Sequence, residues 1–366
     1  MAAVNPGEAG VGQSSLPVGK ADAAEVFDVV HARILRFFPE LVDRLGGDPK
    51  LLMRQVGILA ESLSEGASGA TYGQMIRLIE LGAAELRCPD FGMRLATLQS
   101  GGGMFGPLGS VMKNSRTFGD ALDYVAEHTY AHSLAARIWL KRSRSQQMIF
   151  VGHDILLDRM PDKSQAMEQI LLVGHLAAME MTGGQARVRK VHFRHQPVSS
   201  QRTYRRYFGC EVRFGQNEDG VVFFERDLAC PIIDPDSQAY LAATSFIDAT
   251  FTRRRPPLHA QVRGLIMQCL GAENCTNDRI AAALNLHPRT MHRRLGAEET
   301  SFQQIKDEVR RDVMLYYLQR TNLDFSYISE RLGFAEQSVM TRSCNRWFFA
   351  SPTKVRLRGR RPALAR

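Results

Sequence analysis

The chain has no stretch of about 18 apolar residues, so it offers no candidate membrane-spanning helix. Residues 1–20 lack the apolar centre of a secretory signal, and cytoplasmic residence is expected. Cysteine is sparse: Cys88, Cys210, Cys230, Cys269, Cys275 and Cys344 are scattered through the chain, which suits reduced thiols and not a disulfide framework. The glycines at 101–103, 106 and 109 are not followed by Gly-Lys-Ser/Thr, and no GxGxxG closes a strand, so a flexible turn replaces the phosphate-loop reading. Nothing forms a nucleophile–base set, so no enzyme and no cofactor is expected. With 44% hydrophobic and 23% charged residues over 366 positions, what remains is a globular protein of two domains.

The last third is short of acidic residues. Residues 251–366 hold 21 Lys/Arg against 10 Asp/Glu, whereas residues 1–250 hold 26 against 28. The whole positive excess of the chain therefore sits in one block, which points to a polyanion partner for that block alone.

Residues 1–20 carry too little apolar surface to fold and are expected to be disordered. From Ala21 to about Arg116 the periodicity is helical: Val26, Val29, Val30, Ile34 and Phe37, then Met75, Ile76, Ile79 and Leu81, then Leu122, Tyr124 and Val125. Strand-like segments at 136–140 and 147–151 flank a polar turn at Ser143–Gln146. A helix over 165–181 follows, then strands over 188–195, 212–214 and 220–225, with a short helix at Tyr204–Phe208. Helices gathered at one end and antiparallel strands at the other predict an α+β N-terminal domain. A helix opening at Asp234-Pro-Asp-Ser ends at Arg253-Arg-Arg-Pro-Pro257, where the domain boundary is placed.

Residues 258–355 read as helix after helix and contain a repeat. Ile280-Ala-Ala-Ala-Leu-Asn-Leu286 is echoed 48 residues later by Ile328-Ser-Glu-Arg-Leu-Gly-Phe334. Each copy ends a short helix at Leu, passes a residue that tolerates a left-handed backbone (Asn285 or Gly333), and places an apolar plug before a new helix. That is the pattern of a helix-turn-helix, whose second helix is exposed. In the first, His287 to Leu295, Pro288 suits the first helical position, Met291 and Leu295 point inward, and Arg289, His292 and Arg293 share the opposite face. In the second, from Ala335 to Arg342, Met340 packs inward and Gln337, Ser338, Thr341 and Arg342 face out. Arg reads guanine and Gln reads adenine in the major groove.

Other residues suggest weaker chemistry. Cys269, Cys275, His287 and His292 form C-x5-C-x11-H-x4-H, but the Cys spacing is too wide for a zinc finger and His292 lies on the presumed DNA face. His192 and His195 fall on opposite faces of a strand, and His128 and His132 lack a third ligand, so no metal is expected. Tyr204, Arg205, Arg206 and Tyr207 are read as the solvated face of a short helix in preference to an anion site.

Thr276 to Pro352 resembles the DNA-binding domain of the AraC/XylS transcription regulators. The resemblance is carried by Ile280-Ala-Ala-x-Leu, His287 through Leu295, Thr300-Ser-Phe302, Asp307 through Arg311, Tyr317-Leu318, Ile328 through Phe334, Gln337-Ser338 and Arg346-Trp-Phe-x-x-Ser-Pro352. It implies two three-helix subdomains joined by a long helix, here about Phe302–Leu318, with Phe302, Ile305, Val309 and Val313 facing both. Family base contacts fall on Arg289, His292 and Arg293, and on Gln337, Ser338, Thr341 and Arg342. His287, Thr290, Arg294, Arg346 and Lys354 are the phosphate candidates. Cys88 through Leu95, Phe105 through Gly109, Phe193-Arg-His195 and Tyr207 through Gly215 resemble the arabinose-binding-type regulatory domain of one subgroup.

Together these imply a regulatory, effector-binding or dimerising domain over 21–250 and a linker at 251–257. An all-α DNA-binding domain follows over 258–358, with helix-turn-helix units at about 277–296 and 325–346, and then a basic tail at 359–366. The implied partners are double-stranded promoter DNA, RNA polymerase, a small-molecule effector and a second copy of the chain, with no membrane. An activator is implied. The alternatives are a repressor and an effector-independent architectural protein, which sequence-independent binding and a regulatory domain without a cavity would favour. Three positions depart from the family pattern. Glu299 and Phe349 replace glycines, and Cys344 replaces a Phe under the second reading helix, where Phe348 or Phe349 is expected to close over the thiol.

Overall fold

The two apolar segments flanking the polar turn form the hairpin on which the regulatory sheet is built. In the computed structural model, which describes residues 30, 32–59, 70–99, 102–143, 147–157, 162–251, 256–271 and 275–360, β1 (Ala136–Ser143) pairs antiparallel with β2 (Met148–Ile155). Ala136 stands opposite Ile155 and Ser143 opposite Met148. The segment 1–20, Val26 and Val29, the turn tip 144–146, Arg253–Arg255 and the end of the tail at 361–366 lie outside the described residues.

With β3 (Lys190–His192), β4 (Glu211–Arg213) and β5 (Gly220–Phe224), the sheet order is β1-β2-β5-β3-β4. All neighbours are antiparallel except β3 and β4, which run parallel. Central β5 is buried on both faces, which is why Gly-Val-Val-Phe-Phe is a continuous apolar run without alternation. At the β1–β2 pair the Trp139 indole lies over Gly152, in the space where a Cβ would stand. The strand expected over 188–195 is shorter than the alternation suggested. Beyond His192 the Arg194 N–H leaves the ladder and donates to Asp219 Oδ1 at 2.7 Å.

Helices pack on this sheet. Tyr72–Glu85 starts with a capping box in which Thr71 and Gln74 satisfy each other's amides. Ser164–Met181 is buried on nearly all sides and crosses Phe91–Leu98 at Gly92, where a side chain would strike the Gln165 carbonyl. The close approach lets Gln165 Oε1 accept the Gly92 N–H at 2.8 Å. The Tyr204–Tyr207 segment departs from its solvated reading. Tyr204 is fully buried and donates its hydroxyl to Glu168 at 2.5 Å, and the Tyr207 hydroxyl donates to Asp90 at 3.1 Å. Only Arg205 and Arg206 of that segment are exposed.

From Leu258 onward every element is a helix, arranged around a second, separate apolar core. A 19-residue helix, Phe302–Arg320, runs through it, capped by Ser301, whose hydroxyl accepts the Gln304 N–H at 3.2 Å. Phe302, Ile305 and Val309 are buried along it. Asn277–Ala283 and Pro288–Ala297 pack at one end, Phe325–Arg331, Gln337–Phe348 and Pro352–Arg360 at the other. Both turns are built alike. Asn285 has φ 54° and Gly333 φ 65°, and the following amide reaches back five residues, Leu286 N to Ala281 O at 2.9 Å and Phe334 N to Ser329 O at 3.1 Å. The fold is therefore an α+β domain followed by a helical domain with two helix-turn-helix units.

Candidate nucleic-acid interface

The first reading helix, Pro288–Ala297, begins where proline needs no amide partner, and the His287 imidazole caps it by accepting the Arg289 N–H at 3.3 Å. Met291 and Leu295 are fully buried, and this anchoring leaves Arg289, His292, Arg293 and Arg294 exposed. None of these four side chains has a hydrogen-bond or ion-pair partner among the described residues. Thr290 is half-buried.

The second reading helix, Gln337–Phe348, is anchored the same way by Met340 and Cys344, both fully buried. Gln337, Ser338 and Arg342 are exposed and Thr341 is half-buried. Two hydroxyls here are engaged locally: Ser338 donates to Glu336 at 3.0 Å and Thr341 to the Gln337 carbonyl at 3.0 Å. The Arg346 guanidinium lies 3.3 Å from Asp307 on the long helix, and Lys354 is exposed on the last helix.

The family departures have definite structural consequences. Glu299 at φ 55° and Phe349 at φ 51° both hold the left-handed backbone that glycine adopts without cost. Of the two rings expected near Cys344, Phe349 is 92% exposed and takes no part, whereas Phe348, with Trp347, packs against that core, and the thiol donates to the Ala350 carbonyl at 3.4 Å. Burial pushes the Cys344 thiol up to about 11, so it stays protonated. The zinc-like spacing brings only its two cysteines together. Cys269 and Cys275 both turn to the Ile266 carbonyl, His287 caps its helix, and no group of three metal-ligating side chains occurs among the described residues.

The helical domain is docked on the regulatory domain by groups that sequence reasoning missed. Tyr316 accepts the Gln196 N–H at 2.8 Å, Gln268 donates to Asp154 at 2.9 Å, Arg331 donates to the Gly215 carbonyl at 2.5 Å, and Arg320 pairs with Asp162 at 3.0 Å. These contacts join residues more than a hundred positions apart, and no local pattern announces them. Between the two domains lies a cavity of about 110 Å³ with Lys163, Arg194 and His195 on one side and Arg263, Asp312 and Tyr316 on the other. A second cavity, of about 100 Å³, lies inside the regulatory domain among apolar side chains. Its Tyr72 hydroxyl and His153 Nε2 are 3.3 Å apart, and burial drives that imidazole down to about 4, so it is neutral. No described helix is long and apolar enough to cross a membrane.

Known proteins carry the same two-part plan. Residues 46–232 match the family described as the arabinose-binding domain of AraC transcription regulator, N-terminal, and residues 280–358 match a helix-turn-helix domain family. The chain is 30% identical over 335 residues to the HTH-type transcriptional regulator VirS of Mycobacterium tuberculosis, covering 92% of this chain and 98% of that protein. It is 26% identical over 177 residues to the ornithine utilization regulator of Pseudomonas aeruginosa, covering 46% of this chain and 50% of that one. Among solved structures, the transcriptional regulator CdpR from Pseudomonas aeruginosa matches with 19% identity over 87% of this chain and 98% of that chain, at a TM-score of 0.41. A regulatory α+β domain of the arabinose-binding type joined to paired helix-turn-helix units, over nearly the full length of such a relative, places this chain in the AraC family of DNA-binding transcription regulators.

Proposed function

We propose that the chain reads a specific promoter sequence with both helix-turn-helix units and activates transcription in response to a small-molecule effector. The observation that carries the reading is the paired arrangement of helices, each with a buried anchoring face and exposed arginines on the other. Arg289, His292 and Arg293 would contact one major-groove segment, and Gln337, Ser338, Thr341 and Arg342 the next, about one turn (~34 Å) along the DNA. His287, Thr290, Arg294, Arg346 and Lys354 would hold phosphates, which set position and not sequence. Thr290 and Thr341, half-buried, would reach DNA only at close approach.

Effector response is supported by the domain contacts and by the cavities, which an architectural protein does not need. An effector acts only if it binds the docked and undocked states unequally. A second copy of the chain would bind at the Ser237–Thr250 helix, which leaves Leu241 and Phe246 more than half exposed. The domain limits in this reading are 21–250 and 258–358, with 251–257 as linker, RNA polymerase as a partner and the cytoplasm as the location.

The test is selection of binding sites from random DNA by the full chain. Arg293→Ala is expected to lose about 1–3 kcal/mol of specific binding and to relax one base preference. An unchanged selected motif would remove Arg293 from the reading set.

A further inference from the structure

We infer that the cavity between the regulatory and DNA-binding domains binds a small organic monocarboxylate with a compact apolar body, and that the Lys163 ammonium is its counter-ion. The inference rests on the effector-response reading above and names the site and the chemistry of that effector.

The argument begins with unspent polar groups. Of the cations lining the cavity, Arg194 donates to the Asn217 carbonyl at 2.7 Å and lies 3.6 Å from Asp154 and 3.8 Å from Asp219. Arg263 pairs with Glu308 at 2.5 Å and Asp312 at 3.7 Å, and Arg331 donates to the Gly215 carbonyl. Lys163 alone among them has no hydrogen-bond or ion-pair partner among the described residues. Burial, opposed by the charges of Asp219, Asp154 and Asp312, pulls its ammonium down to about 8. Lys163 is partly buried, and an ammonium removed from part of its water without a partner is costly; an anion beside it offsets that cost.

A second polar group lines the same space. His195 is 6% exposed, and its Nδ1 is 2.8 Å from the Gln196 carbonyl, which fixes the proton on that nitrogen. Its Nε2 lies 3.7 Å from Glu168 Oε1, beyond hydrogen-bond reach, and is left as an acceptor without a hydrogen-bond partner. Burial, its largest influence, lowers the His195 pKa, so the ring is neutral. A ligand hydroxyl would satisfy it. The remaining wall includes Met267, Val309 and Val313, which suit a hydrocarbon body. The cavity inside the regulatory domain has no Lys or Arg among its described lining residues, and its Tyr72–His153 pair is already engaged.

The position gives the ligand leverage. One wall belongs to the long helix that joins both reading units, at Val309, Asp312, Val313 and Tyr316. The other belongs to the regulatory segment whose Gln196 amide is bonded to Tyr316. A ligand filling this space contacts both domains only while they are docked, which is the unequal affinity that a switch requires.

The probes are hexanoate, 2-hydroxyhexanoate and hexan-1-ol, added to the full chain and read by thermal melting and calorimetric titration. Hexanoate is expected to raise the midpoint saturably, 2-hydroxyhexanoate to bind more tightly, and hexan-1-ol to do neither. Lys163→Met, which keeps the stem and removes the charge, is expected to weaken hexanoate at least tenfold, and Lys163→Arg to retain most of the binding. Equal binding of acid and alcohol, or hexanoate affinity unchanged in Lys163→Met, overturns the inference. So does the absence of any carboxylate effect. Promoter binding is measured on the same samples without ligand: if it holds while the carboxylates fail, only this inference falls, and if it is absent, the regulator reading falls with it.

Discussion

Arg346 on the second reading helix and Asp307 on the long helix form an ion pair, with 3.3 Å between guanidinium nitrogen and carboxylate oxygen. The pair ties a phosphate candidate back to the protein while its side chain remains 65% exposed. Arg346 therefore has to exchange Asp307 for a phosphate when DNA arrives. Asp307→Asn is expected to tighten DNA binding of every sequence and to steepen the dependence of log K on log salt by about one unit. An unchanged salt slope in fluorescence anisotropy would mean that Arg346 stays away from the phosphates.

Phe349 ends the second reading helix at φ 51° with its ring in solvent, so it carries the backbone cost of a left-handed conformation and no packing gain. Phe349→Gly is expected to stabilise the protein by about 1 kcal/mol, and Phe349→Ala not to. Glu299→Gly is expected to act in the same direction at φ 55°. Chemical denaturation of the three variants decides, and equal stability of the Gly and Ala variants at 349 would refute the strain argument.

Cys344 is fully enclosed, with its thiol bonded to the Ala350 carbonyl and its surroundings closed without help from Phe349. A phenyl ring is much larger than the thiol, so the neighbours would have to shift to admit it. Cys344→Phe is expected to cost about 1–3 kcal/mol through overpacking. A higher melting midpoint for the variant would reveal a void under the helix.

Glu80 accepts the Gln165 and Ala166 amides at 2.7 and 3.2 Å, yet burial, followed by the nearby Asp162 charge, raises its pKa from 4.5 to about 8. The folded state thus holds this proton where the unfolded chain has released it. Stability from this group is complete below pH 4.5 and declines as pH rises towards about 8. Glu80→Gln removes the penalty, so it is expected to stabilise at pH 7 by up to about 3 kcal/mol, with the gain vanishing near pH 4. A gain independent of pH would rule out Glu80 titration as the cause.

Local rules made much of the fold legible. The Ile280 and Ile328 repeats announce two helix-turn-helix units because a left-handed residue and an apolar plug are consequences of short-range backbone geometry. Helical spacing likewise placed Met291, Leu295 and Met340 in the core and Arg289, Arg293 and Arg342 outside it. The alternation across Val191, Phe193 and His195 overstated its strand, because one side chain, Asp219, takes the Arg194 amide from a distance in sequence. Tyr204 and Tyr207 read as a solvated face for the same reason: their partners Glu168 and Asp90 lie 36 and 117 residues away.

The sequence by itself thus determined the two-part architecture, the paired reading helices and the basic block, since each depends on neighbours within a few turns of chain. Only the tertiary structure decided that Phe349 faces solvent and that Arg346 is tied to Asp307. It also decided that Lys163 and His195 meet Arg263 and Tyr316 around one cavity. The first two depend on how helices pack within the helical domain and the third on which surfaces of two separate cores come into contact, and long-range packing of either kind leaves no periodic signal in the chain.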